Sequence, residues 1–107
     1  MPVVFTQRII EHKFTTLSPE LIYVAPGGTQ IVLRELCLTN FAAATAELRL
    51  WLNVPGNPQA FFFLGELPAL ASSTYDRRVG LNAGDQIYGV SATAEMSVVV
   101  TAYVFST

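Results

Sequence analysis

One stretch of the chain indicates its fold class directly: Glu47-Leu48-Arg49-Leu50-Trp51-Leu52-Asn53-Val54. Its apolar positions, Leu48, Leu50, Leu52 and Val54, recur at every second residue. A period of two is typical of a strand with one buried face in an antiparallel sheet, whereas a helix would scatter these positions around its circumference. The stretch therefore predicts a half-buried β-strand whose core face carries the leucines.

On both sides of this stretch the chain consists of short strand-like runs separated by turn residues. Runs rich in β-branched and aromatic residues cover residues 21–24, 30–40, 60–67, 72–79, 86–92 and 96–105. Short strands with turn signals between them are typical of a β-sandwich or a small barrel. We predict an all-β domain, an antiparallel β-sandwich of jelly-roll type with about eight strands and no significant helix.

The first twenty residues are predicted to form an arm that precedes the sandwich domain of residues 21–107. One strand is expected from Val3-Val4-Phe5-Thr6 through Ile9-Ile10, and a second short strand from Phe14-Thr15-Thr16-Leu17. An apolar arm of this kind can pair with the sheet edge of a neighbouring subunit.

Alternation also predicts which side chains face the core. In residues 30–40 it places Val32, Leu36 and Leu38 on one face, with Arg34 interrupting, and Glu35, Cys37 and Thr39 on the other. The same parity directs Trp51 away from the leucines of its strand. Phe61-Phe62-Phe63 cannot all face one side of a single strand, so at least one ring should leave the core.

The composition suggests that part of the surface is covered by other molecules. Apolar residues make up 51% of the 107 residues and charged residues only 13%, against roughly 25% charged in an average soluble domain. Because monomers seldom expose large apolar patches, we expect a second contact surface besides the core. The candidate interface residues are Val4, Phe5, Trp51, Phe61, Phe63, Tyr103 and Phe105, with Arg77 and Arg78 setting the orientation of the partners.

No catalytic, metal-binding or cofactor-binding motif is found, so we predict no enzyme activity and no cofactor. His12 and Cys37 are the only residues of their types, which leaves one possible Cys–His pair and too few ligands for a structural zinc site. The formal charge is −2, with six Lys and Arg spread along the chain, so we expect neither nucleic-acid nor anionic-membrane binding. No signal peptide or transmembrane helix is predicted, so we expect synthesis in the cytosol.

The order of turns and strands resembles a group of small structural proteins of tailed bacteriophages. The resemblance covers about residues 21–104 and consists of Tyr23-Val24-Ala25-Pro26-Gly27-Gly28-Thr29, Leu36-Cys37-Leu38-Thr39-Asn40, Leu48-Arg49-Leu50-Trp51-Leu52, Leu81-Asn82-Ala83-Gly84-Asp85-Gln86-Ile87, Ser91 and Val98-Val99-Val100. Pro26 comes one position later than in that group, and residues 1–20 are an addition. The resemblance implies a β-sandwich that attaches to capsids or tails, commonly as a trimer or another symmetric oligomer.

These features together predict a virion structural protein. The first expectation is a homo-oligomer, with a trimer favoured, that decorates or cements a phage head by binding the major capsid protein. A tail, neck or baseplate accessory subunit is the alternative within the same class. A glycan-binding sandwich is the alternative from another class, since exposed Trp and Tyr side chains stack on sugars, and it requires a concave aromatic platform with Asn or Asp nearby.

Overall fold

The structure, a computed structural model, describes residues 4–53 and 60–106, and of Val4, Phe5 and Ser106 the backbone only. It contains β1 (Val4–Lys13), β2 (Glu20–Val24), β3 (Thr29–Asn40), β4 (Ala46–Asn53), β5 (Ala60–Leu67), β6 (Ala71–Asn82), β7 (Gln86–Ser91) and β8 (Met96–Ser106). These strands form two four-stranded sheets with the orders β1-β8-β3-β6 and β2-β7-β4-β5, here called the β1 sheet and the β2 sheet. The predicted all-β sandwich is confirmed, and the described residues contain no helix that could span a membrane.

The strands pair as one long hairpin that is folded over into two layers. β4 pairs with β5 at its tip, β3 with β6, β2 with β7 and β1 with β8, all antiparallel. The additional pairs β3–β8 and β4–β7 join these hairpins into the two sheets. This nested pairing is the arrangement of a jelly roll, as predicted.

The core lies between the two sheets and is filled by aliphatic side chains from both. Leu48 and Leu50 of β4 are buried in it, and Leu52 packs against it. On β8 the same alternation places Val98, Val100 and Ala102 in the core. The predicted core face is thus confirmed for Leu48, Leu50 and Leu52, whereas Val54 lies outside the described residues.

A β-bulge on β3 changes which of its residues reach the core. Leu33 and Glu35 face the adjacent residues Ala102 and Thr101 of β8, so Arg34 is an extra residue between them. Since an extra residue reverses the alternation, Ile31 and Leu33 are buried before the bulge and Leu36 and Leu38 after it. Val32 is only half-buried, and its predicted place on the core face with Leu36 is wrong.

Residues 4–13 of the predicted arm form β1, which pairs with β8 of the same chain along its whole length. The second predicted strand, Phe14 to Leu17, is wrong, because these residues form a bend before β2. Phe14 itself is fully buried in the core, and its ring meets the His12 ring edge-on at 4.9 Å between centroids. The end of the predicted arm is therefore anchored inside the sandwich.

The carboxylate of Glu20 holds this bend to the start of β2. Its Oε2 accepts the backbone N–H groups of Thr15 and Thr16, each at 3.0 Å, and the Thr16 hydroxyl at 3.1 Å. Its Oε1 lies 3.0 Å from His12 Nε2. Burial by itself raises the pKa of Glu20, but these hydrogen bonds outweigh it and hold the pKa below its ordinary value of 4.5.

Gly89 leaves the space that Phe14 needs. A Cβ built on Gly89 would lie 2.8 Å from Phe14 Cζ, 2.8 Å from Leu50 Cδ2 and 3.0 Å from Ile22 Cδ1. These distances are too short for carbon atoms in contact, which prefer about 3.5–4.0 Å. The glycine is therefore a packing requirement of the core.

Gly89→Ala is expected to lower the free energy of unfolding by about 1–3 kcal/mol, because the new methyl group overpacks the core. The control is Gly80→Ala on β6, where an added Cβ meets nothing within 4 Å. Urea unfolding followed by circular dichroism measures both. Equal stability of the two variants would show that the core around Phe14 is looser than described.

Glu20→Gln is expected to destabilise the protein at neutral pH by about 1 kcal/mol. Since the folded state lowers the pKa of Glu20, its contribution is complete above the ordinary pKa and is lost as the pH falls through the folded value. The gap between wild type and variant should therefore shrink in acid, as measured by urea unfolding across the pH range. The exposed carboxylate variant Glu66→Gln serves as the control, and a gap that widens in acid would refute this role.

Candidate functional site

The outer face of the β2 sheet carries a row of apolar side chains that crosses all four strands. The Cα register places Trp51 of β4 between Phe61 of β5 and Tyr88 of β7, and Tyr88 next to Leu21 of β2. Leu64 of β5 lies one row away, opposite Arg49. We call the surface formed by Leu21, Trp51, Phe61, Leu64 and Tyr88 the aromatic face.

Trp51 is the centre of this face and is held by its own chain. Its ring is stacked on Tyr88 at 6.0 Å and an interplanar angle of 12°, and is tilted against Phe61 at 5.6 Å. Only 5% of its surface is exposed, although it does not belong to the core between the sheets. The predicted direction of Trp51 away from the leucines is confirmed, and the ring packs with its cross-strand neighbours.

The β-bulge on β5 explains the three consecutive phenylalanines. Leu50 faces Phe63 and Trp51 faces Phe61, so Phe62 is the extra residue. Phe63 is buried in the core and Phe61 remains 44% exposed on the aromatic face. At least one ring was expected to leave the core, and that ring is Phe61; because Phe63 is buried, it is not a candidate for an intermolecular contact.

Exposed apolar side chains are concentrated at this sheet. Among the described residues, the large exposed apolar side chains at its outer face and rim are Leu17, Leu21, Val24, Phe61 and Leu64. The other such side chains, Ile9, Phe41 and Leu70, lie on β1 and at two loops. An ion pair between Arg49 and Glu47 adds charge at one side of the aromatic face.

The outer face of the β1 sheet is more polar. Its rows contain Ser and Thr pairs, such as the Thr39 and Ser72 hydroxyls at 2.9 Å, and the carboxylates Glu35 and Asp76, which face each other across β3 and β6. Tyr103 lies half-buried on this face with the Arg34 guanidinium 5.4 Å from its ring centroid. The contrast between the faces makes the β2 sheet the better candidate for a contact surface.

The remaining predicted interface residues lie away from the aromatic face. Phe105 is on β8, half-buried, in the β1 sheet. Arg77 and Arg78 both oppose the single residue Arg34 in a bulge of β6, and Arg77 Nε donates to the Phe62 carbonyl at 3.3 Å across the gap between the two sheets. Arg78 is exposed.

Two of the predicted residues cannot be placed, and three residues of the face were not predicted. The side chains of Val4 and Phe5 lie outside the described residues. Leu21, Leu64 and Tyr88 were missed by the sequence reasoning. Tyr88 alternates with the buried Ile87 on β7, so parity alone could have assigned it to the outer face.

The only histidine and the only cysteine do not form a catalytic pair. His12 contacts Phe14 in the core and Glu20 of β2, whereas Cys37 lies in a row with the exposed Glu35 on the outer side of β3. The sheet itself separates the two side chains. Neither belongs to the aromatic face.

The fold is shared with subunits of large assemblies. The chain is similar to a chain of the acid-stable capsid of the Helicobacter pylori bacteriophage KHP30, with 15% identity and a TM-score of 0.58 over 95% of this chain and 87% of that one. It is also similar to a subunit of the disulfide-linked pili of Bacillus endospore appendages, with 11% identity and a TM-score of 0.55 over 98% and 88% of the two chains. At such identities the likeness shows the fold alone.

A third similar structure comes from the T13 viral particle of infectious bursal disease virus, with 7% identity and a TM-score of 0.55. The match covers 95% of this chain but only 35% of that one, so the present chain spans about a third of the viral protein. No protein-family model matches the sequence, and no curated protein matches it.

Trp51→Ala is expected to lower the free energy of unfolding of the isolated chain by about 3 kcal/mol, because the ring is packed against Phe61 and Tyr88 within the same subunit. Leu21→Ala, in the same row but half-exposed, should cost about 1 kcal/mol or less. Urea unfolding monitored by circular dichroism compares the two. Equal small losses would mean that Trp51 depends on a partner molecule for its packing.

Proposed function

We propose that this chain is a structural subunit of a bacteriophage particle, which decorates the outside of the head as a homo-oligomer, with a trimer favoured. The observation that carries the proposal is the aromatic face, an apolar row that crosses a complete sheet on the side away from the core. Such a surface is typical of a protein–protein contact. Identical copies that cover this face for one another give the protein its stable assembled form.

The mechanism is binding without chemistry. Burying a large apolar side chain contributes about 1.5–3 kcal/mol, and less when part of it is already covered. Much of this gain is lost to the cost of association, so each contact is modest. Many equivalent copies on one shell add such contacts and so bind firmly together.

The similar structures support this class of function. Two of these structures come from virus particles, a phage capsid and the particle of infectious bursal disease virus. The third comes from endospore appendages that form pili. The match to the phage capsid chain covers most of both chains, so the two are of similar length. A domain of this size suits an accessory subunit that adds to a shell.

Arg78 is the better of the two arginines for orienting a partner. Arg77 already donates to carbonyl groups of its own chain at Phe62 and Asp76, whereas Arg78 is exposed at the same bulge. An exposed charge at the rim of an interface changes partner orientation and association rate more than affinity.

The glycan-binding alternative has weaker support from the structure. A shallow depression on the β2 sheet is lined by Pro19, Trp51, Asn53 and Tyr88. However, the Tyr88 ring is stacked on Trp51, and Asn53 donates to Gln86 at 3.2 Å. The ring face and the amide that a sugar needs are thus engaged within the chain.

Immunogold labelling of intact particles with an antibody against this chain tests the location. Label spread over the head supports decoration, whereas label confined to the tail, neck or baseplate supports the accessory-subunit alternative. Intact particles without label, from preparations in which infected cells contain the protein, would contradict both.

The aromatic face itself is tested by Leu21→Ser combined with Leu64→Ser. Losing two partly exposed leucines should weaken self-association by about 2 kcal/mol, or roughly thirtyfold in the dissociation constant, as measured by sedimentation velocity over a concentration series. The matched control is Phe41→Ser combined with Leu70→Asn, which removes two exposed apolar side chains at loops. Asn suits position 70, where φ is 55°. Equal effects of the two double variants would rule out the aromatic face as the specific contact.

A further inference from the structure

The four edges of the two sheets are not equally protected. β6 is interrupted where Arg77 and Arg78 oppose the single residue Arg34, and β5 is interrupted at Phe62. β2 has only five residues and a bulge at Ile22. Bulges and short length are two of the devices by which proteins keep sheet edges from pairing with other chains, besides charged side chains on the edge.

β1 is long and free of bulges, and its charged side chains Arg8, Glu11 and Lys13 are of both signs. Its ten residues stay in register with β8 from Val4↔Ser106 to Lys13↔Ser97 without a shift, and β8 is its only partner strand in the described part of the chain. In the middle of this edge, Ile9 is 59% exposed. A long and regular edge with an exposed apolar centre is a template for another strand.

The backbone groups that point to the free side can be identified. Phe14 N–H donates to the Met96 carbonyl of the β8 edge at 2.9 Å, in the same register as β1. Because hydrogen-bonding direction alternates along an antiparallel strand, the even-numbered residues of β1 bond to β8. The odd-numbered residues Gln7, Ile9 and Glu11 therefore present their N–H and C=O groups to the free edge.

We infer that β1 pairs antiparallel with β1 of a second copy about a two-fold axis through Ile9, which joins two β1 sheets into one eight-stranded sheet. This register places Ile9 opposite the partner's Ile9 and Gln7 opposite the partner's Glu11, so that an amide faces a carboxylate. The two chains then exchange backbone hydrogen bonds at these positions. The inference does not depend on the proposed function.

Charge selects this register over its neighbours. An axis through Arg8 would oppose Arg8 to the partner's Arg8, and an axis through Glu11 would oppose two carboxylates, both of which are unfavourable pairs. An axis through Ile10 would oppose Arg8 to the partner's His12 and leave Ile9 facing Glu11. Only the axis through Ile9 pairs the exposed isoleucines without opposing like charges near the centre.

On a particle this contact would complement the aromatic face, a consequence that rests on the proposed function, whereas the β1 pairing itself does not. A closed oligomer formed through one surface and a two-fold contact at another surface together build an extended network. The occupant of the edge is thus a second copy of this chain, and the contact links one oligomer to the next.

Cysteine crosslinking tests the register in a background that carries Cys37→Ser. Residues in a hydrogen-bonded antiparallel pair have Cα atoms about 5.5 Å apart, within the range that a disulfide bridges. Ile9→Cys should therefore form a covalent dimer under mild oxidation. Gln7→Cys alone and Glu11→Cys alone should stay monomeric on a denaturing gel, whereas an equimolar mixture of these two should give a crosslinked heterodimer.

The control addresses collisions between exposed thiols. Ile9→Pro, added to the Gln7→Cys and Glu11→Cys variants, removes the N–H that points to the partner and should abolish the heterodimer, whereas Ile9→Ala keeps that N–H and should retain it. Equal crosslinking of all single-cysteine variants would overturn the inference. So would a crosslinked dimer that forms when Ile9→Cys is mixed with Glu11→Cys but does not form from Ile9→Cys alone. Repeating the mixture with Leu21→Ser combined with Leu64→Ser separates the two surfaces, because a weakened aromatic face should leave this crosslink intact.

Discussion

A two-layer sandwich can bury only one face of each of its sheets, and this constraint governs the molecule. The core of this chain takes the inner faces, with Leu48 and Leu50 from one sheet and Val98 and Val100 from the other. Whatever apolar residues remain must lie on an outer face, at an edge or in a loop. In this chain they are concentrated on the outer face of the β2 sheet, where Trp51 is packed between two other rings. The fold is complete with this face uncovered, so the face itself is available for assembly.

The jelly-roll pairing explains why the face is continuous. Because β4 and β7 are central strands of the β2 sheet, Trp51 and Tyr88 have neighbours on both sides in the register. Phe61 and Leu21 extend the row to the two edge strands. Four residues that are far apart in sequence thus form one surface, as a consequence of the nested hairpin.

The β-sandwich fold and the outward direction of the Trp51 side chain could be predicted from the sequence, because both depend on local alternation. In β4 the alternation correctly assigns Leu48 and Leu50 to the core face and Trp51 to the opposite, outer face. Alternation failed at Val32, because the extra residue Arg34 in β3 is defined by its pairing with β8. A bulge depends on two strands that are distant in sequence, and no local pattern marks it.

The rest of the site required the three-dimensional pairing. Phe61, Phe62 and Phe63 are equivalent in sequence, and only the bulge against β4 separates the exposed ring from the buried one. Nothing in the sequence distinguishes Leu21 and Leu64 from other strand leucines. Only the strand register shows that they lie beside the aromatic rings. The predicted strand at Phe14 failed for a different reason, since Glu20 bonds to the backbone of that segment and holds it in a bend.

Carbene footprinting with mass spectrometry, on dilute and on concentrated protein, tests most directly whether neighbouring molecules cover the aromatic face. We predict that labelling of Leu21, Phe61 and Leu64 falls together as the protein assembles, while labelling of Phe41 and Leu70 stays constant. Labelling of the aromatic face that does not change on assembly, with protection appearing elsewhere, would contradict it.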